Sequence, residues 1–268
     1  MFYTQKEMCQ AFHITRNTLR HYEALGIITP RIDEKNGYRS YGYEEVRALH
    51  DCKAYQAMGL SLAEAKDLIH CGSLAEQARC YSERAQAVLQ RARLEMMAAE
   101  HLAAFADRIN EAEGRLGTFY TLRSEDVVYV GVESNDEMVY GDEEGDAVRN
   151  FMRDHFEVCA LAFKVKDMDM DTNDFEWGYA MKGTYYVELK GPGCPPYGGA
   201  LREFLATTVS VPDEGSLDCG VFAGLLAEAE RRGLVVEGDV FGFLLARAAD
   251  ESGRRVRYLE AMVPVRTR

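Results

Sequence analysis

Residues 15–30 read TRNTLRHYEALGIITP. A threonine ahead of a helix accepts hydrogen bonds from the N–H groups that the first turn leaves unpaired, so Thr15 marks a helix start. The helix runs from about Arg16 to Ala24 and stops at Gly26, which tolerates the left-handed backbone after a last turn, while Pro30 bars continuation. Upstream, Thr4 and Glu7 form a capping box for a short helix over about Gln5–Phe12, and His13-Ile14 make the turn between the two helices. Downstream, Asn-Gly at 36–37 signals a hairpin, with Ile27-Ile28 and Tyr38 to Tyr41 as its expected flanks. Two more helices follow over about Tyr43–Met58 and Ser61–Ile69, broken at Gly59.

Two short helices joined by a tight turn, then a hairpin, describe a winged helix-turn-helix whose second helix enters a major groove. The candidate DNA-facing residues are Thr4, Arg16, Asn17, Thr18, Arg20, His21 and Tyr22 from the helices, and Lys35, Tyr38, Arg39 and Tyr41 from the wing. Arginine and lysine attract phosphate, and hydroxyl groups add positioning contacts. Three spaced motifs then appear in order: TLRHYEALGIITP at 18–30, NGYRSY at 36–41 and GLSLAEA at 59–65. Together they resemble the DNA-binding domain of the MerR family of transcription regulators over residues 2–70. His21 departs from the tyrosine usual at its position.

From Leu74 one register steps by four and three through Ala78, Tyr81, Ala85, Val88, Ala92, Glu95, Ala99, Leu102, Ala106 and Ile109. Only Glu95 is polar, so this is a coiled-coil seam, and the alanine at every seventh position lets two helices approach closely. The alternative is one long helix packed on its own C-terminal domain. The resemblance implies an antiparallel dimer helix, with two recognition helices presented to a pseudo-palindromic operator. Gly114 to Thr118 is the expected hinge.

Residues 117–268 alternate strand and helix patterns. Strands are expected at Asp126–Glu133, Ala160–Lys166, Phe175–Lys182, Glu203–Val211, Asp239–Ala246 and Val256–Val265, with helices at Glu144–Phe156 and Leu217–Arg232. The order is strand-helix-strand-strand, twice, with a Gly/Pro run at 191–199 between the halves. The segment from Thr207, ending in Tyr258, Glu260 and Val263-Pro264-Val265, resembles the GyrI-like effector-binding domain fused to MerR-type segments in multidrug-responsive activators. Such domains bind amphipathic, often cationic, ligands in a cleft between their halves. Glu260 stands in an otherwise apolar strand, where a ligand cation would partner its carboxylate, and Tyr258 and Met262 share its face by alternation. Phe175, Trp177 and Tyr179 alternate onto one face and supply aromatic surface for a cation. The alternative for the aromatics is sheet core.

The fold class is therefore α+β. A mostly helical winged helix-turn-helix occupies 1–70, a dimerisation helix 71–116, and an antiparallel sheet domain 117–268. The formal charge of −13 argues against nucleic acid only if it is spread evenly. It is not: residues 1–70 hold 9 Lys+Arg and 9 Asp+Glu, whereas 117–268 hold 16 and 28. Seven cysteines, with no C-x-x-C, read as free thiols of a reducing cytoplasm. Asp167, Asp169, Asp171 and Asp174 lack the glycine and terminal glutamate of a calcium loop and read as solvated.

The expected function is a ligand-responsive transcription regulator with no cofactor, metal or catalytic residue. Its expected partners are a second copy of the chain, promoter DNA, RNA polymerase and a small-molecule effector. With no apolar run or signal segment, a cytoplasmic location is expected. The rival readings are a small-molecule hydrolase using Glu260 and Tyr258, and an orphan regulator without a ligand.

Overall fold

The computed structural model describes residues 1–70, 73–134, 137–138, 143–165, 175–193, 201–215 and 217–267. Cys71, Cys194, the four-aspartate segment and most of the Gly/Pro run lie outside them. Two compact units comprise Met1–Arg93 and Leu94–Arg268.

In the first unit, β1 (Tyr3–Thr4), α1 (Gln5–Ala11) and α2 (Arg16–Ala24) precede β2 (Arg31–Ile32), β3 (Arg39–Tyr41), α3 (Tyr43–Ala57) and α4 (Leu62–Ile69). The caps are where the residue chemistry requires them. Thr4 and Glu7 exchange bonds in a capping box, Thr15 accepts from the Thr18 N–H, and Ser61 pairs with Glu64. Such a cap contributes about 1 kcal/mol. The turn between α1 and α2 places His13 at φ 51°, and Gly26 ends α2 at φ 73°. Met8, Leu19, Tyr22, Leu49 and Cys52 interlock the helices in one core.

The hairpin differs from expectation in its first strand. Ile27 and Ile28 are 2% and 3% exposed and belong to the core, and pairing begins only at Arg31, opposite Ser40. Two consecutive apolar residues behind a helix stop satisfy burial on a bend rather than the alternation of a half-exposed strand. The sheet runs β1-β3-β2, so Tyr3–Thr4 adds a strand beyond the hairpin.

The long helix α5 covers Leu74–Arg115, and its stretch from Leu94 belongs to the second unit. There follow β4 (Phe119–Glu125), β5 (Val127–Ser134), β6 (Glu137–Met138), α6 (Glu143–Asp154), β7 (Cys159–Val165), β8 (Phe175–Lys182), α7 (Gly183–Glu188), β9 (Leu201–Pro212), α8 (Ala223–Arg231), β10 (Leu234–Val236), β11 (Phe241–Ala249) and β12 (Arg255–Thr267). The sheet order is β4-β9-β12-β11-β7-β8-β5-β6, with β10 also pairing β12 and every ladder antiparallel. The chain order is β5, β6, α6, β7, β8 in the earlier part and β9, α8, β10, β11, β12 in the later part.

The sheet has two covered faces. On one, Phe163, Phe175, Leu259, Ala261 and Val263 pack with Phe222, Leu225 and Ala229 around α8. On the other, Ala162, Ala180, Phe243, Tyr258 and Met262 pack with Ala112 and Phe105 of α5.

Candidate functional site

The outward face of α2 is built by the residues that face inward. Leu19 is fully buried and Tyr22 is 4% exposed, which fixes the helix's rotation and leaves Arg16, Asn17, Arg20 and His21 exposed, with Thr18 half-buried. Thr4 is exposed at the start of α1. On the hairpin, Asp33 organises the tip by accepting from the Lys35 N–H at 2.8 Å and from Asn36 Nδ2 at 3.1 Å. Lys35 is exposed there, and Tyr38 is 74% exposed.

Two tyrosines of the expected set are displaced into the core. Tyr22 donates its hydroxyl to Gln56 Oε1 at 3.1 Å. Tyr41 is fully buried and donates to Glu23 Oε1 at 2.5 Å. Burial, and then the Glu23 hydrogen bond, raise the Tyr41 phenol well above its ordinary range. These hydroxyls fasten the head internally, because a buried phenol requires a partner. Glu23 is a residue that motif reading passed over. Its Oε2 also pairs with Arg39 Nε at 3.1 Å, tying the hairpin to α2 and spending part of the Arg39 charge. Glutamate at a helix end and arginine on a strand carry no spacing signal for each other.

The seam of α5 is exposed along its length. Leu74, Tyr81, Val88, Leu102 and Ile109 are 85%, 40%, 48%, 65% and 41% exposed, and Ala78, Ala85, Ala92, Ala99 and Ala106 between them are largely open as well. In the second unit a different stripe of the helix, including Met97, Phe105 and Ala112, meets the sheet domain.

The six expected ligand residues divide between the two faces of the sheet. Glu260, Tyr258 and Met262 lie under α5. Phe175 and Trp177 lie on the α8 face, and Tyr179 shares it by alternation along β8. They therefore do not form one pocket. Strand alternation assigns a residue to one side of its own strand, but only the pairing of β12 with β11, and of β11 with β7, fixes which side is shared.

Nor is Glu260 an unpartnered carboxylate. At 1% exposure it accepts from Tyr120 Oη at 2.7 Å, and Arg108 and Arg115 of α5 stand 3.4 and 3.9 Å from its oxygens. Arg115 also lies over the Tyr120 ring at 4.3 Å, and Arg108 over Phe243 at 4.6 Å. Burial, then the Glu260 charge, push the Tyr120 phenol up to about 12, so it remains a donor. Arg108 and Arg115 are seven residues apart, off the seam, which is the one trace they leave in the sequence. Among the described residues no group of three or more His, Cys, Asp or Glu side chains is placed to hold a metal. The cations beside Glu260 thus come from its own chain.

A capped, exposed second helix behind a tight turn, with a basic hairpin beside it, defines a helix-turn-helix of the DNA-binding class. Residues 3–70 match the family described as MerR HTH family regulatory protein. The "Multidrug-efflux transporter 2 regulator" of Bacillus subtilis is 31% identical over 68 residues, covering 25% of this chain and 25% of that protein. "Transcriptional regulator BrlR" of Pseudomonas aeruginosa is 32% identical over 105 residues, 38% of each chain. The chain thus spans well under half the length of these curated relatives. An EcmrR–DNA complex solved by cryo-electron microscopy aligns over 99% of this chain and 100% of that one, at 11% identity and a TM-score of 0.37, a likeness too weak to bear on function. Among the described residues no helix is long and apolar enough to cross a membrane.

Proposed function

We propose that this chain is a dimeric, ligand-responsive regulator of transcription that binds promoter DNA through residues 1–70. The observation that carries the reading is the exposed face of Arg16, Asn17, Arg20 and His21 on α2, inside the segment that matches the MerR family. In this reading α2 lies in a major groove, while Lys35, Tyr38 and the free part of Arg39 follow the flanking phosphates. Thr4 and Thr18 add short polar contacts, and Tyr22 and Tyr41 shape the head from within. The exposed seam of α5 supports pairing with a second copy, which sets two heads on a pseudo-palindrome. One relative, the regulator of a multidrug-efflux transporter, supports a small amphipathic effector.

The GyrI-like character of the second unit rests on the twofold strand-helix-strand-strand pattern of its sequence and on the residues around Tyr258–Val265. An effector there favours one dimer conformation by binding it more tightly. The favoured form distorts an over-long promoter spacer at its deformable centre and brings the two promoter elements into register for RNA polymerase.

Gel-shift titration over a range of salt concentrations tests the DNA contact, using the inverted-repeat DNA flanking the encoding gene. Arg20→Ala and Lys35→Ala should each weaken binding and lower the slope of log K against log salt by about 1, as expected for a lost phosphate contact. Wild-type affinity and slope in both variants sink the assignment of α2 and the hairpin.

A further inference from the structure

On the face of the sheet opposite Glu260, a cavity of about 670 Å³ opens beside α6. Phe175, Trp177 and Tyr179 of β8 line it, with Phe156 edge-on to Tyr179 at 4.8 Å. So do four arginines, Arg149 and Arg153 from α6 and Arg247 and Arg257 from β11 and β12, together with Glu133 and Asp146. These arginines are not equally compensated. Arg149 is spent on Asp146 Oδ1 at 2.6 Å and on the Gly131 carbonyl. Arg247 shares the single carboxylate of Asp213 with Arg255, at 3.1 and 3.4 Å.

Arg257 is the sharpest case. It is 8% exposed, and its Nε and Nη2 donate to the carbonyls of Pro212 and Gly215 at 3.0 and 2.9 Å. Among the described residues no carboxylate pairs with it. On the β11–β12 ladder its direct cross-strand partner is Arg247. Like charges directly opposite one another repel, and a buried cation held only by neutral carbonyls is positioned but not neutralised. A ligand anion would remove both costs.

We propose that this cavity binds an aromatic organic anion, with its carboxylate or equivalent acid group on Arg257 and Arg247 and its ring against Trp177 and Tyr179. The guanidinium fork matches a planar acid group, and the aromatic side chains match a planar ring. A cationic ligand meets four arginines here and is disfavoured. The assignment names the ligand class for the proposed effector. It depends on the effector reading only for its effect on DNA, since binding itself is measured without DNA.

Trp177 is the one tryptophan of the chain, so its emission reports occupancy of the cavity while calorimetry gives the affinity. The full chain is titrated with naphthoate, with its neutral counterpart naphthalenemethanol and with cationic naphthylmethylammonium. Naphthoate should bind saturably and perturb Trp177, and the other two should bind about tenfold more weakly or worse. Arg257→Gln should cost naphthoate about tenfold and erase its advantage over the alcohol. Arg153→Gln alters an exposed side chain of α6 and should fold normally. It should weaken naphthoate about threefold, which keeps the test decisive if Arg257→Gln does not fold. No naphthoate binding, equal affinity for the three compounds, preference for the ammonium, or wild-type affinity in every folded variant overturns the assignment. A separate arm adds promoter DNA to the naphthoate-saturated protein. Unchanged DNA binding there rejects the effector reading and leaves the cavity assignment standing.

Discussion

Glu260 shows how one side chain serves a fold when its charge is answered from within. Its Oε1 accepts from Tyr120 Oη, and Arg108 and Arg115 stand at ion-pair distance, so removing the charge takes the carboxylate from a partly buried Arg108 and leaves Arg115 with Glu111 alone. Glu260→Gln is expected to lower the unfolding free energy by about 1–3 kcal/mol, read as a lower urea midpoint with an unchanged m-value. An unchanged midpoint rejects the structural role. His101 on α5 makes a prediction with a defined sign. Burial first, and then the nearby Lys182 charge, lower its pKa from 6.5, so below that value the folded chain binds fewer protons than the unfolded one. The contribution to stability is fully present above pH 6.5 and is lost as pH falls through the lowered folded value. Thermal melts between about pH 7.5 and 5.5 should show a declining midpoint that His101→Gln flattens. Single residues were only half legible in the sequence. Glu260 is conspicuous as a charge in an apolar strand, but its three partners come from segments 140 or more residues upstream and left no local mark.

Elements were legible where their stop signals are chemical. Helix α2 runs Arg16–Ala24 because Thr15 and Gly26 bracket it, and β8 spans Phe175–Lys182 as its alternation requires. Helix α7 was not legible. Its residues, GTYYVE, favour strand, and tertiary packing of Tyr185 and Tyr186 into the core overrides that propensity. Strand β4 was missed because an edge strand has neither a continuous apolar run nor strict alternation. Two substitutions test individual elements. Gly242 in β11 lies under the Phe163 ring, where an added Cβ would stand 2.4 Å from Cζ and 2.3 Å from the Glu260 carbonyl oxygen. Gly242→Ala should therefore cost about 1–3 kcal/mol by overpacking, and a wild-type melting temperature would contradict that contact. On α5, Ala99→Glu places a carboxylate in the seam one helical turn from Glu95. It should weaken self-association about tenfold or more in light scattering while leaving helix content unchanged, and an intact dimer would move the partner surface to another stripe.

Across the whole molecule, the charge of −13 divides into a neutral segment that carries the α2 face and an acidic segment that carries the sheet. The sheet's order also sets a schedule. Strand β12 lies inside the order, between β9 and β11, and is the latest of the strands along the chain, whereas the first unit closes its own sheet within thirty-nine residues, from Tyr3 to Tyr41. During synthesis the amino-terminal unit can therefore reach its final contacts while the larger sheet still lacks the strand that joins β4 and β9 to the run from β11 to β6. A nascent chain halted before Arg255 should yield a protease-resistant fragment from the first unit and an open-edged remainder that aggregates, so the solubility of the second unit waits on the synthesis of a single strand.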